Sequence, residues 1–97
     1  MYEKKCDAIG KYLSAKLGDA AIARHHDEGR LAQTFKVRMK HEPVSRLLKV
    51  SDELIDDNDI SVILSRFDQW GLADRLRNEE QRGVIATHNG LARFDRD

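Results

Sequence analysis

His25-His26-Asp27-Glu28 sets two imidazoles and two carboxylates side by side, and His41 and His88 add two more imidazoles elsewhere in the chain. Such groups can ligate zinc or relay protons. The spacing suits neither task, because adjacent histidines point apart on a strand or a helix and there is no i, i+4 pair and no CxxC. A turn with exposed histidines is expected, and no metal. Cys6, the single cysteine, falls on an apolar helical stripe, where a thiol behaves as a small hydrophobe rather than a nucleophile. Asp56-Asp57 and Glu79-Glu80 are neighbours in solvated segments, where nothing separates their pKa values into an acid and a base. No glycine-rich loop cradles phosphate. No catalytic residue, no cofactor and no enzymatic activity are expected.

The elements that must position any binding side chains are read from periodicity. Tyr2, Cys6, Ile9, Leu13 and Leu17 form one stripe of a 3.6-period helix stopped at Gly18. Between Arg30 and Lys40 the period becomes two, with Leu31, Phe35, Val37 and Met39 on one face of a strand and Lys36, Arg38 and Lys40 on the other. The preceding Ala-Ala-Ile-Ala-Arg-His-His could pair with it across the turn Asp27-Glu28-Gly29, although alanine is a weak strand former. Pro43 to Ile55 fits two periods, since Val44, Leu47, Leu48, Leu54 and Ile55 make a helical stripe while Val44, Leu48 and Val50 also fit a strand. A helix is favoured, on a proline suited to a first helical position and a run long for a strand. The break Asp56-Asp57-Asn58-Asp59 caps a further helix with the stripe Ile60, Ile63, Leu64, Phe67 and Trp70, ended by Gly71. Strands are expected at Leu72 to Arg77 and Val84 to Thr87, and Asn89-Gly90 signals a hairpin returning through Leu91 to Phe94.

The class expected is α+β, one small domain over residues 1–97 in the order helix, strand, helix, helix, strand, strand. The alternative is an N-terminal helix, an antiparallel sheet of three to five strands and a packed helix. Ninety-seven residues allow one modest core. Seventeen basic and seventeen acidic side chains cancel, so any electrostatic role must come from local segregation. No apolar run is long enough for a membrane span or a signal peptide, and a cytoplasmic protein is expected.

Ile60, Leu64 and Phe67 on a helix, then Gly71-Leu72, Arg75, the charged loop ending Gln81-Arg82-Gly83-Val84, and Thr87 with Gly90 resemble winged-helix regulators of the MarR type over about residues 60–94. The charged loop is slightly shorter than in that family, the Val84 to Thr87 spacing is compressed and the dimerising helices have no counterpart. A homodimer remains compatible with the sequence, but not by that route. The resemblance implies a duplex-DNA-binding regulator. Ser61, Ser65, Arg66 and Gln69 would read base edges, and Arg75, Arg77 and Arg82 would hold phosphates from the wing. Five carboxylates, Asp52, Glu53, Asp56, Asp57 and Asp59, stand at the entrance of that helix and oppose phosphate contact. Trp70 and Phe67 could stack on bases of a single strand, but both belong to the core stripe.

A second reading rests on charge. Residues 30 to 50 hold Arg30, Lys36, Arg38, Lys40, Arg46 and Lys49 against Glu42 alone, whereas residues 51 to 59 hold five acids and no base. The bland expectation is a solvated strand face beside a polar turn. The functional alternative is a protein-interaction or inhibitor protein. It would act through Lys36, Arg38 and Lys40 together with Asp52, Glu53, Asp56, Asp57 and Asp59, or imitate nucleic-acid phosphates with the acidic turn.

Overall fold

In the computed structural model, which describes residues 1–29, 31–40, 42, 45–78 and 83–93, the chain opens with helix α1, Tyr2–Lys16. The hairpin β1, Ala21–Asp27, and β2, Ala32–Arg38, follows, and then β3, Arg46–Ser51. Three short helices come next, α2 over Asp52–Asp57, α3 over Ile60–Trp70 and α4 over Leu72–Arg77. The strands β4, Gly83–Thr87, and β5, Gly90–Arg93, end the described chain. Arg30, His41, Val44, Arg82 and Phe94, the Glu79-Glu80 pair and the proline expected to open a helix at position 43 lie outside the described residues.

The five strands form one sheet in chain order, β1-β2-β3-β4-β5. All neighbours are antiparallel except β3 and β4, which run parallel, with Leu48 opposite Val84 and Val50 opposite Ala86. A parallel pair needs a crossover, and the three helices between β3 and β4 supply it. The fold is α+β, as expected, with a mixed rather than purely antiparallel sheet.

One core holds the two layers together. Phe35, Val37, Leu48, Val50, Val84 and Ala86 from the sheet meet Cys6, Ile9 and Leu13 of α1, Leu54 and Ile55 of α2, Ile63 and Phe67 of α3, and Leu72 and Leu76 of α4. Period two then sends the alternate side chains of β2 and β3 to the opposite face, which carries no helix among the described residues.

Two segments differ from expectation. Arg46 to Ser51 is a strand, not part of a helix, because its burial alternates residue by residue and it finds a partner on both edges. The apolar run that looked long enough for a helix is a strand and a helix joined at Ser51, whose Oγ accepts the Leu54 N–H at 3.2 Å as an N-cap. Leu72 to Arg77 is a helix, not a wing strand. Gly71, at φ +67, takes the left-handed conformation that ends α3 and starts α4, and Leu72 and Leu76, four apart, both turn into the core. The observed order of helix, three strands, three helices and two strands therefore replaces the expected helix, strand, helix, helix, strand, strand.

Smaller differences have local causes. Leu31 is 67% exposed in the β1–β2 turn rather than on the inner face of β2. The β4–β5 turn is His88-Asn89, with Gly90 at φ +110 already paired to Thr87. Gly10 is not required by a clash, since a Cβ there would meet only Ile22 Cγ2, at 3.9 Å. Alanine at this helical position would gain about 1 kcal/mol of propensity.

Candidate functional site

The histidine and acid run is divided by the alternation of β1. His25 faces the helix-free side opposite Thr34, and His26 faces the helices. His26 Nε2 lies 2.7 Å from Asp52 Oδ2, while Tyr2 donates its hydroxyl to Asp52 Oδ1 at 2.7 Å. The Tyr2 hydroxyl oxygen also lies 3.2 Å from Gln33 Oε1, and the Cys6 thiol points at the same Gln33 oxygen. Burial and the bond to Asp52 push the Tyr2 phenol well above the ordinary range, and burial raises the Cys6 thiol. Both stay protonated near neutrality. The group is a polar strut joining α1, β1, β2 and α2, with a buried thiol that offers no nucleophile.

The hydrogen bond to Asp52 raises the His26 pKa. The folded state therefore holds that proton more tightly than the unfolded chain, and the added stability is complete below the ordinary imidazole value of about 6.5. It is lost as pH rises through the higher folded value. The urea midpoint of the parent chain should exceed that of His26→Gln by more at about pH 5.5 than at about pH 8.5. A gap that widens with rising pH would mean that the His26–Asp52 contact does not favour the charged imidazole.

The acids ahead of α3 are partly occupied from within the chain. Asp52 belongs to the strut, and His88 reaches Glu53 at 3.9 Å and Asp57 at 3.7 Å. Asp56 and Asp59 are exposed, and Asp59 N-caps α3 through its backbone. Among the described residues no group of three or more histidine, cysteine, aspartate or glutamate side chains could hold a metal ion.

The residues assigned to DNA are separated. Ser61, Ser65 and Gln69 are exposed on α3 and Arg66 is half-buried beside them. The arginines meant for a wing sit on α4 instead. Arg77 donates to the Lys16 carbonyl at the end of α1 and lies 3.5 Å from Asp74, and Arg75 is not free either. Arg82 falls outside the described residues. Trp70 is half-buried and Phe67 fully buried against Tyr12 and Trp70 rings, so Phe67 offers no stacking face.

The basic block lies on the other side of the molecule. Lys36 and Arg38 alternate with the buried Phe35 and Val37, so they project from the helix-free face, and Lys40 is exposed just beyond β2. None of the three has an ion-pair partner among the described residues. Lys49 shares this face but is engaged, 3.0 Å from Asp27 and 3.1 Å from Thr34 Oγ1. Leu47 and Ile85, on β3 and β4, are half-buried between these cations and the β5 edge. The acids of α2 are on the helix side, so the basic and acidic blocks do not make one surface. Arg46, counted with the basic block in the sequence, is buried.

The alternation Lys36, Arg38 was legible in the sequence; the sidedness of the acids was not, because it depends on β3 being a strand. Among the described residues no helix is long and apolar enough to cross a membrane. Comparison of the chain with protein-family models, curated proteins and solved structures returns no match.

Proposed function

We propose that this chain is a non-enzymatic binding protein that receives an acidic protein partner on the helix-free face of its sheet. The observation that carries this reading is the pair Lys36 and Arg38, exposed side by side on one face of β2 with no internal counter-ion among the described residues. Lys36, Arg38 and Lys49 less Asp27 leave a formal charge of plus two on the outward positions of β1 to β3. Half-buried Leu47 and Ile85 give that face an apolar centre beside a polar, cationic margin, the anatomy of a protein interface. Lys36, Arg38 and Lys40, the three cations here without an ion-pair partner among the described residues, provide few phosphate contacts for a nucleic acid.

The duplex-DNA reading keeps one observation in its favour, the exposure of Ser61, Ser65 and Gln69 along α3. One titration separates the two. The protein is mixed at low and at physiological salt with capped glutamate-rich peptides and with a pooled random duplex. The peptides should bind, more weakly at higher salt, and the double change Lys36→Glu with Arg38→Glu should reduce their affinity about tenfold. Binding of the duplex instead, lowered by Arg66→Ala and Gln69→Ala but not by the β2 changes, would transfer the function to α3. Peptides that fail to bind even at low salt would sink the acidic-partner reading.

A further inference from the structure

The outer edge of β1 is flanked by a hollow on each face of the sheet. On the helix side a groove of about 420 Å³ runs between α1 and β1, lined by Gly10, Ser14, Ala20, Ile22 and Arg24. On the open side a second hollow of about 250 Å³ is lined by Ala21, Ala23, Lys36, Arg38 and Ser45. Both lie along residues 20–24, at a strand edge that has no partner among the described residues.

We propose that β1 is a strand-addition site and that its occupant is an extended segment of a partner protein in which apolar and acidic residues alternate. This rests on the acidic-partner reading above and specifies how the partner is held. A guest strand hydrogen-bonds to the free backbone groups of β1, and its side chains point alternately to the two faces. One set enters the α1–β1 groove, where Gly10, Ala20 and Ile22 stand among Asp7, Lys11, Ser14 and Arg24, so the side chains seated against those three are apolar and modest in size. The other set emerges beside Lys36 and Arg38, where carboxylates are complementary.

Gly10 gains a reason here. A side chain at that helical position would project towards Ile22 and fill the groove, so glycine keeps it open. The edge carries one guarding charge, the inward Arg24, but its first half is open. Sheet edges are normally blunted by lysine, proline or a bulge, and Ala21-Ile22-Ala23 has none of these and pairs regularly with β2. The opposite edge, β5, spans four of the described residues against seven for β1.

A second copy suits the edge less well. The central residue of β1 is Arg24, so full antiparallel self-pairing would set each Arg24 opposite its own copy, a like-charge pair. Arg24 is instead held within the chain, 2.9 Å from Glu3 and 2.8 Å from Asp7, and closes one end of the groove.

The test uses the full chain and a capped eight-residue peptide of alternating valine and glutamate, with two relatives, one N-methylated at alternate residues and one with glutamate replaced by lysine. Binding is followed by amide shifts and by hydrogen exchange across Ala21 to Asp27. The valine–glutamate peptide should bind and slow exchange of the outward β1 amides, and both relatives should bind at least about tenfold more weakly. Lys36→Glu with Arg38→Glu, and separately Gly10→Leu, should each weaken it about tenfold while the folded spectrum persists. If Gly10→Leu disturbs the fold, the N-methylated peptide decides alone.

Equal binding of the N-methylated peptide, still dependent on Lys36 and Arg38 and without β1 protection, would overturn strand addition and leave the acidic-partner reading standing. Absence of binding by every acidic peptide at low salt would overturn both. Protection of β1 that appears with rising protein concentration alone would give the edge to a second copy and overturn the occupant proposed here.

Discussion

Phe67→Ala should cost about 3–5 kcal/mol, the range found for a buried phenylalanine cut back to a methyl group. Phe67 is fully buried at the centre of α3, its ring 5.8 Å from that of Tyr12 and 6.3 Å from that of Trp70. With Ile63 it carries α3 into the core shared with α1. Tyr12 also donates its hydroxyl to Asp68 at 2.5 Å, a bond that lowers the Asp68 pKa and fixes the same helix pair from outside. The polar clasp is exposed and cannot replace the lost ring. For a chain of this size the loss corresponds to a fall in melting temperature of roughly 15–30 °C, and total stability is only about 5–15 kcal/mol. Urea unfolding followed by the fluorescence of Trp70, the single tryptophan, reads it directly. A loss below about 1 kcal/mol would mean that Phe67 is not a core residue, and would reopen the reading in which it stacks on a nucleic-acid base.

That result would come from an element the sequence marks clearly. Ile60, Ile63, Leu64, Phe67 and Trp70 repeat over three turns and end at a glycine, so periodicity and stop signal agree. α1 was legible for the same reasons. The two misread segments are short and each satisfies two periods. Leu72 and Leu76 fit a helix as i and i+4, but six residues do not outweigh a strand pattern unless the neighbours are known. Arg46, Leu48 and Val50 fit a strand, yet the inward arginine breaks the apolar alternation, and Leu54 and Ile55 lend the run a false helical length. What decides both is tertiary: β2 and β4 lie on either side of β3, and the crossover then leaves Leu72 to Arg77 above the sheet. For the candidate site, the outward Lys36 and Arg38 were visible from period two. The hollows beside β1 were not, since they depend on how α1 lies over Ile22.

Arg46→Ala should lose about 3–4 kcal/mol, made up of about 1–3 kcal/mol for an orphaned acceptor and the remainder for the vacated volume. Arg46 is 2% exposed on the inner face of β3. Its Nε donates to the Leu76 carbonyl at 2.9 Å, and Nη2 lies 3.2 Å from Glu42. The Leu76 carbonyl is in the last turn of α4, where the helix has no backbone donor left to offer. A strand residue thus completes a helix terminus, and this is why an arginine occupies a position that alternation reserves for an apolar side chain. Glu42 is the less buried partner and balances the charge from the solvent side. Glu42→Gln should therefore cost less than Arg46→Ala, and the two should couple by about 0.5–3 kcal/mol in a double-mutant cycle. Arg46→Met separates volume from hydrogen bonding: it fills most of the space and should retain only the acceptor penalty of about 1–3 kcal/mol. If Arg46→Met is as stable as the parent chain, the Leu76 carbonyl has found another donor and Arg46 does not hold α4. If instead Arg46→Met falls while α4 amides alone exchange faster, the arginine is the tie that makes Leu72 to Arg77 a helix.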